Sequence, residues 1–202
     1  MVPATGVNAV SEPGTQLILA SASPRRVQLL RALGLSFEVI AANVDETPRA
    51  GERPEALVRR LAAQKAVKVA RTHVAATVMG ADTVVAVGME IFGKPGTAEQ
   101  ARQILTKLSG RTHQVVTGVA VWNEQQGRGF TTVAMAQVTF RALSALDIDG
   151  YIATGEPMDK AGAYAIQGQA GKWVQSFAGN LETVIGLPLD VVKRLLHRMG
   201  LV

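Results

Sequence analysis

The chain of 202 residues is 48% hydrophobic and 4% aromatic, carries a formal net charge of +5 and contains no cysteine. This composition excludes disulfides, thiol catalysis and cysteine-ligated metals, and argues against an aromatic surface that stacks single-stranded bases. The positive charge fits a polyanionic partner, and its dispersal along the chain favours a compact polyphosphate over a long duplex, so no stable nucleic-acid binding is expected.

The hydrophobic patterns predict an α/β fold on a mixed, twisted sheet with flanking helices, as one domain over residues 16–202 whose two lobes share a cleft. For residues 1–15 we predict a loose tail. They do not resemble a signal peptide, because they lack a basic segment followed by an apolar core. No apolar run is long enough to span a membrane, so we expect the protein in the cytoplasm. In chain order the patterns predict strand 17–20, a helix from residue 24, strand 37–41, helix 54–72, strand 77–87, helix 98–108, strands 113–122 and 130–140, helix 144–154, strands 172–177 and 181–185, and helix 188–199.

The start of the first helix carries an electrostatic misfit. Ser23 suits the N-cap and Pro24 suits the first helical position. Arg25 and Arg26 follow in the first turn, where the helix dipole opposes cations. Free N–H groups, a serine hydroxyl and two guanidinium groups together would bind a phosphate. The alternative is a well-capped helix whose arginines point into water.

Asp82 lies in the middle of a valine-rich strand. An ionised carboxylate buried there costs several kcal/mol unless it is paired, hydrogen-bonded or bound to a metal. Gly80 and Ala81, just before it, allow a ligand or another backbone to approach closely. A catalytic or ligand-binding acid is one interpretation. The other is a buried aspartate that caps a neighbouring loop or pairs with one lysine.

Glu46 stands beside Asp45 in a polar loop. Together with Asp82 it could hold a hard divalent cation, because Mg²⁺ binds through a few carboxylates, waters and phosphate oxygens. Taken alone, an adjacent pair of acidic residues is more often a solvated loop. The cation site therefore depends on Asp82.

Two further segments carry polar groups in restricted backbones. Lys94 stands between Gly93 and Pro95, on a stiff turn that would position its ammonium group, although an ordinary surface lysine is the alternative.

Residues 159–168 alternate charged, small and amide side chains without a helical or strand period. Within them Gln167 can donate and accept together, which suits the amide edge of a pyrimidine base. A glycine-punctuated surface loop is the alternative here.

The motifs occur in an order that resembles the Maf family, nucleoside triphosphate pyrophosphatases once described as septum formation inhibitors. The resemblance covers the chain from about residue 17 to the C-terminus. It rests on residues 21–26 (Ser-Ala-Ser-Pro-Arg-Arg), 45–46 (Asp-Glu), 80–83 (Gly-Ala-Asp-Thr), 93–95 (Gly-Lys-Pro), 108–113 (Leu-Ser-Gly-Arg-Thr-His), 159–168 (Asp-Lys-Ala-Gly-Ala-Tyr-Ala-Ile-Gln-Gly) and 186–189 (Gly-Leu-Pro-Leu). Residues 176–182 depart from the family pattern, which leaves the shape of that loop open.

The resemblance implies a fold similar to the inosine triphosphate pyrophosphatases, commonly a homodimer, and hydrolysis between the α- and β-phosphates with Mg²⁺ or Mn²⁺. Residues 159–168 resemble the branch that acts on dTTP and UTP. By the same resemblance Asp82 falls at the position of the proton acceptor, and Glu46 and Lys94 match motif positions. We expect Glu46 and Lys94 to act in catalysis, and Glu46 and Asp82 to hold the metal ion. The implied substrate-binding residues are Ser23, Arg25, Arg26, Thr83, Lys160 and Gln167, of which Arg25, Thr83 and Gln167 match positions tied to substrate choice.

Two other classes of function stay open at this point. A nucleotide-binding regulator of cell division or septum formation would bind without turnover, but it would have little need of an acid beside a triphosphate. A nonspecific nucleic-acid binder would show affinity that falls steeply with salt and grows with strand length.

Overall fold

The computed structural model describes residues 16–202, so the predicted tail at residues 1–15 lies outside the described residues. Seven strands form the sheet: β1 (Leu17–Leu19), β2 (Glu38–Val39), β3 (Thr77–Val87), β4 (Glu90–Phe92), β5 (Thr112–Asn123), β6 (Arg128–Phe140) and β7 (Val174–Ala178). The helices are α1 (Pro24–Arg31), α2 (Pro54–Ala70), α3 (Ala98–Leu108), α4 (Ala145–Ala153), α5 (Leu181–Ile185) and α6 (Leu189–Arg198). Three 3₁₀ turns cover Glu156–Asp159, Ala161–Ala163 and Gln169–Trp173.

The sheet is mixed, with strand order β2-β1-β3-β5-β6-β7 and β4 paired to β3. Strand β1 runs parallel to β2 and β3, whereas β3, β5, β6 and β7 pair antiparallel. The register places Asp82 opposite Gly118 and Thr83 opposite Thr117. The predicted α/β class with a mixed sheet and flanking helices is confirmed.

Helix α2 packs unusually close to β3 and β5 because glycine faces it from both strands. A Cβ added at Gly80 would lie 2.2 Å from the carbonyl oxygen of Ala62, and one added at Gly118 would lie 2.3 Å from that of Val58. Real Cβ atoms do not approach oxygen so closely, so both positions require glycine for space. The close approach that Gly80 predicts is therefore that of the α2 backbone.

Buried hydrophobic side chains form four clusters in the described residues, and the two largest reach opposite ends of the long strands. At one end, Met79 of β3 and Val121 of β5 pack with α1 and α6. At the other end, Val85 and Val115 pack with α3, α4 and an aromatic group. That aromatic group contains Tyr151, Tyr164 and Trp173 together with Phe140, in edge-to-face contacts. Asp82, in the middle of β3, follows Ala81 of the first of these clusters and precedes Val84, which packs with Leu61 of α2 in a smaller cluster.

One local expectation was wrong, and another was confirmed only in part. Residues 181–185 form helix α5 instead of a strand, because the Asn180 side chain accepts from the Glu182 N–H and caps it, and the chain turns back at Gly186. Ser23 occupies the predicted N-cap and Pro24 begins the helix, as expected, but within the described residues the Ser23 side chain makes no capping hydrogen bond to α1. Instead the Ser23 N–H donates to the hydroxyl of Ser21, 3.2 Å away.

Other boundaries shift by a few residues. The predicted strand 37–41 shortens to Glu38–Val39, and β7 starts at Val174 because a 3₁₀ turn occupies the residues before it. Helix 54–72 ends at Ala70. Across residues 16–202, no helix combines the length and the apolar character that a membrane crossing needs.

Candidate active site

A cleft of about 850 Å³ opens where α1, α2 and β3 meet the 3₁₀ turns. The structure brings every predicted site residue to this cleft. Those lining it are Ser23, Arg25, Arg26, Glu46, Asp82, Thr83, Lys94, Lys160 and Gln167. Positive side chains outnumber carboxylates among these residues, which suits a polyanionic ligand.

Lys65, which is not among the predicted site residues, connects the two predicted metal ligands. Its Nζ lies 2.6 Å from Asp82 Oδ1 and 2.6 Å from Glu46 Oε1. Lys65 and Asp82 are each only 6% exposed, and buried ions of this kind need a partner. The alternative of a buried aspartate paired with one lysine is thus present in the structure. The lysine also pairs with Glu46, and all three residues line the cleft.

A periodic signal for Lys65 was present in the sequence. Leu57, Leu61, Lys65 and Val69 recur at intervals of four on α2, and all four are buried. A lysine on the buried face of an otherwise apolar helix needs a carboxylate opposite it. Asp82 in the valine-rich strand is that carboxylate.

The environment pushes the pKa values of the two carboxyl groups apart. Burial raises the pKa of Asp82, against the opposing influence of the positive charges of Lys65 and Arg26. Partial burial also acts on Glu46, but its hydrogen bond to Lys65 and the charges of Lys65, Lys94 and Arg26 lower its pKa. Two acids of unequal proton affinity in one cleft are typical of acid–base sites.

Arg26 is held rigidly between the strand and the C-terminal segment. Its Nε donates to the Gly186 carbonyl at 2.9 Å, its Nη2 to Thr83 Oγ1 at 3.0 Å and its Nη1 to Ser21 Oγ at 3.4 Å. Burial lowers its pKa. Thr83 Oγ1 also lies 2.9 Å from the hydroxyl of Thr117. These contacts fix the guanidinium group beside Asp82.

The mouth of the cleft carries a second group of charges. Arg25 Nη1 lies 3.5 Å from Asp159 Oδ2, and Lys160 forms an ion pair with the same carboxylate. Lys160 Nζ also donates to the Glu156 carbonyl at 2.9 Å. Asp159 lies in the predicted loop but was not itself selected, and it holds the two cations side by side.

The Lys94 turn and the Gln167 turn complete the cleft wall. The N–H of Gly162 donates to the Gly93 carbonyl at 3.0 Å, which ties the Lys94 turn to the second 3₁₀ turn. Gln167 lies in a tight turn that the Gly168 N–H closes onto the Ala165 carbonyl at 3.0 Å.

The donor set around Lys65 suits a divalent cation with phosphate ligands. Among residues 16–202, no group of three or more histidine or acidic side chains is placed to hold a metal ion. Glu46 and Asp82 nevertheless lie next to each other, because each contacts the same Lys65 Nζ through one oxygen, Oε1 and Oδ1 respectively. The second oxygen of each carboxylate is the one that could bind a cation. Two carboxylates supplemented by phosphate oxygens and water are a typical ligand set for Mg²⁺.

Known proteins resemble the chain over nearly its whole length. The family model described as Maf-like protein matches residues 16–199. A dTTP/UTP pyrophosphatase of Myxococcus xanthus is 53% identical over 187 residues, which cover 93% of this chain and 94% of that protein. A dTTP/UTP pyrophosphatase of Geotalea uraniireducens is 49% identical over 186 residues, covering 92% and 96% of the two chains.

Solved structures share the fold at low sequence identity. The Staphylococcus aureus Ham1 protein superposes with a TM-score of 0.55 at 14% identity, over 92% of this chain and 100% of that chain. A HAM1 protein from Coxiella burnetii gives 0.52 at 12% identity, over 91% and 99%. At such identities the likeness concerns the fold alone.

Proposed function

The chain belongs to the Maf family, and we propose that it hydrolyses dTTP and UTP to the nucleoside monophosphate and pyrophosphate. The observation that carries the proposal is the Glu46–Lys65–Asp82 arrangement at the centre of a cation-lined cleft. The relatives at 53% and 49% identity, which are dTTP/UTP pyrophosphatases, support the same activity. They favour an enzyme over a regulator that binds nucleotide without turnover.

Asp82 is the proposed proton acceptor. Its carboxylate is buried, aimed into the cleft and held at 2.6 Å by Lys65, so it can orient an attacking water and take its proton. Its raised pKa improves its basicity relative to an exposed aspartate. Water attack at the α-phosphorus then releases pyrophosphate as the leaving group.

The cationic side chains are the proposed phosphate contacts. Arg26 is fixed by three acceptors, and Arg25 and Lys160 are aligned at the cleft mouth. Such preorganised cations stabilise charge as it builds up on the triphosphate. Lys94, on the opposite turn, completes the set together with the helix start at Ser23.

We also propose a Mg²⁺ or Mn²⁺ requirement, with Glu46 and Asp82 as the protein ligands. A cation bound there would neutralise phosphate oxygens and polarise the scissile bond. Lys65 contacts one oxygen of each carboxylate, Asp82 Oδ1 and Glu46 Oε1, so Asp82 Oδ2 and Glu46 Oε2 are the oxygens that would hold the metal ion.

The base contact is assigned to Gln167, with Arg25 and Thr83 as further residues for substrate choice. The amide of Gln167 offers a donor and an acceptor, which matches the edge of thymine or uracil. Family resemblance extends the proposal to a homodimer, which sedimentation would check. We also propose a cytoplasmic location, which cell fractionation would check.

A panel of nucleoside triphosphates with Mg²⁺ or Mn²⁺ tests the function. We expect pyrophosphate from dTTP and UTP, slower release from purine nucleotides, and no release after chelation of the metal. Orthophosphate as the product would contradict α–β cleavage. A preference for purines would contradict the pyrimidine assignment and leave the enzyme class standing.

A further inference from the structure

Tyr151 of α4 holds one end of the turn that carries Gln167. The Ala165 N–H donates to the Tyr151 hydroxyl oxygen at 3.1 Å, and the hydroxyl donates to Glu156 Oε1 at 2.9 Å. Burial raises the pKa of Tyr151, so the group stays protonated and fills both roles. The start of the turn is therefore tied to a buried side chain.

Glu156 holds the other end of the same turn. A Cβ added at Gly168 would lie 1.8 Å from Glu156 Oε1, so the carboxylate packs directly against the glycine backbone. The φ of Gly168 is −100°, which any residue can adopt, so a larger residue there would require the Glu156 carboxylate to move away. The Gln169 N–H also lies 3.5 Å from Glu156 Oε2.

The two contacts bracket Gln167 on both sides. The turn itself closes through the Gly168 N–H and the Ala165 carbonyl, and these are the two residues that the Tyr151–Glu156 pair touches. Gln167 is exposed and lines the cleft. Its backbone is thus fixed from behind by two residues outside the cleft lining.

We infer that Tyr151 and Glu156 are positioning residues that fix the Gln167 turn and thereby set the preference for pyrimidine over purine bases. The inference rests on the proposed function, since it assigns the geometry of its base contact. Recognition through hydrogen bonds discriminates strongly only when donor and acceptor are correctly placed. A displacement of about 1 Å can cost a hundredfold. Because the pair does not touch the phosphate contacts through its side chains, its loss should affect base selection more than turnover.

Kinetics of Tyr151→Phe, Glu156→Ala and Glu156→Gln with dTTP, UTP and dGTP test this inference. Tyr151→Phe and Glu156→Ala should raise KM for dTTP about tenfold and reduce the dTTP-to-dGTP preference by a similar factor. The kcat for dTTP should change much less. Glu156→Gln keeps an acceptor for the Tyr151 hydroxyl and should recover most of the preference. Glu156→Ala leaves the backbone carbonyl that Lys160 uses.

Ser144→Ala is the matched control for a loss of stability. Ser144 caps the same helix α4 through Asp147 and makes no contact with the Gln167 turn in the described structure. It should lower the melting temperature without changing the base preference. If the Tyr151 and Glu156 variants lower the melting temperature and leave the dTTP-to-dGTP ratio at the wild-type value, the positioning role is wrong.

Equilibrium binding of dTTP and dGTP separates this inference from the proposed function. If the wild-type protein releases no pyrophosphate, the proposed function is wrong. The ratio of dTTP to dGTP affinities in the same variants then still tests whether Tyr151 and Glu156 position the Gln167 turn. A wild-type enzyme with pyrimidine preference whose variants keep that preference overturns the inference alone. Should Tyr151→Phe not fold, the half-buried Glu156 and its Ala and Gln variants decide the outcome.

Discussion

The ammonium group of Lys65 lies 2.6 Å from Asp82 Oδ1 because helix α2 packs against bare glycine on β3. Gly80 and Asp82 are two residues apart and share one face of the strand. The position of a Cβ on Gly80 would be 3.2 Å from Lys65 Cβ, so the helix has no side chain between itself and the strand. The sheet therefore sets the distance between the acid and its counter-ion.

Replacing Lys65 by Met removes the charge shared by two carboxylates. We expect pyrophosphate release from dTTP to fall by about two to three powers of ten, and the free energy of unfolding to drop by about 3–5 kcal/mol, since a broken buried pair leaves an uncompensated charge. Lys68→Met, on the same helix but exposed, is the control and should retain activity. Similar rates for the two variants would contradict the assigned role of Lys65.

Gly118→Ala tests whether the approach of α2 matters. The new Cβ would lie 2.3 Å from the Val58 carbonyl oxygen, so the helix must shift. We expect a loss of about 1–3 kcal/mol in unfolding free energy, together with reduced turnover because Lys65 moves with the helix. Gly150→Ala, in α4 with open space at its Cβ, is the control. It should be neutral or raise the stability by up to about 1 kcal/mol. An unaltered melting temperature for Gly118→Ala would contradict the packing argument.

Some of this site follows from the sequence and some does not. Asp82 could be selected because a carboxylate in a valine-rich strand demands a partner. Lys65 is not among the predicted site residues, because the pattern of α2 predicts which apolar residues are buried and a lysine is not one of them, although its spacing from Leu61 and Val69 places it on the same face. The partner of a buried charge comes from another helix or strand, and the periodicity within a single helix does not identify it.

The C-terminal half shows the same limit for local structure. Residues 181–185 include three consecutive β-branched residues, which favours a strand, yet the cap at Asn180 and the reversal at Gly186 make them α5. The close contact of Glu156 with Gly168 depends on the folding of two 3₁₀ turns against each other, and no periodic pattern encodes it. By contrast, the predicted bounds of β3 and α3 agree with the structure because their patterns are long and regular.

The buried side chain of His113 should make the folding stability depend on pH, independently of the acids of the cleft. Burial lowers its pKa from 6.5 to about 4, and its Nε2 lies 2.9 Å from the Tyr164 hydroxyl. The unfolded chain takes up the proton below pH 6.5 while the folded protein does not, so stability falls as the pH drops from 6.5 to about 4. The loss amounts to about 3 kcal/mol.

Denaturant unfolding over that pH range measures the effect as the difference between wild type and His113→Phe. The variant should be less stable at neutral pH, because the Tyr164 hydroxyl loses its partner, and should lack this part of the pH dependence. Tyr164→Phe keeps the buried imidazole and should keep the slope. Parallel profiles for wild type and His113→Phe would show that the histidine is not the titrating group.

Arg26→Lys tests the fork geometry of the guanidinium group. A lysine cannot reach Gly186, Thr83 and Ser21 together, because its single ammonium lacks the planar arrangement of donors. We expect kcat/KM for dTTP to fall by about tenfold to a hundredfold. Arg31→Lys, exposed on the same helix, should match the wild type. If Arg26→Lys had the same kcat/KM as Arg31→Lys, the assignment of Arg26 as a phosphate contact would be wrong.

The most direct test of the account is Asp82→Asn, assayed for pyrophosphate release and for dTTP binding on the same preparation. Asparagine keeps the size of the side chain and an oxygen for the Lys65 hydrogen bond, but it cannot accept a proton from water. We predict that dTTP still binds while pyrophosphate release falls by about two to four powers of ten. Release at the wild-type rate by a variant that binds dTTP normally would contradict the assignment of Asp82 as the proton acceptor.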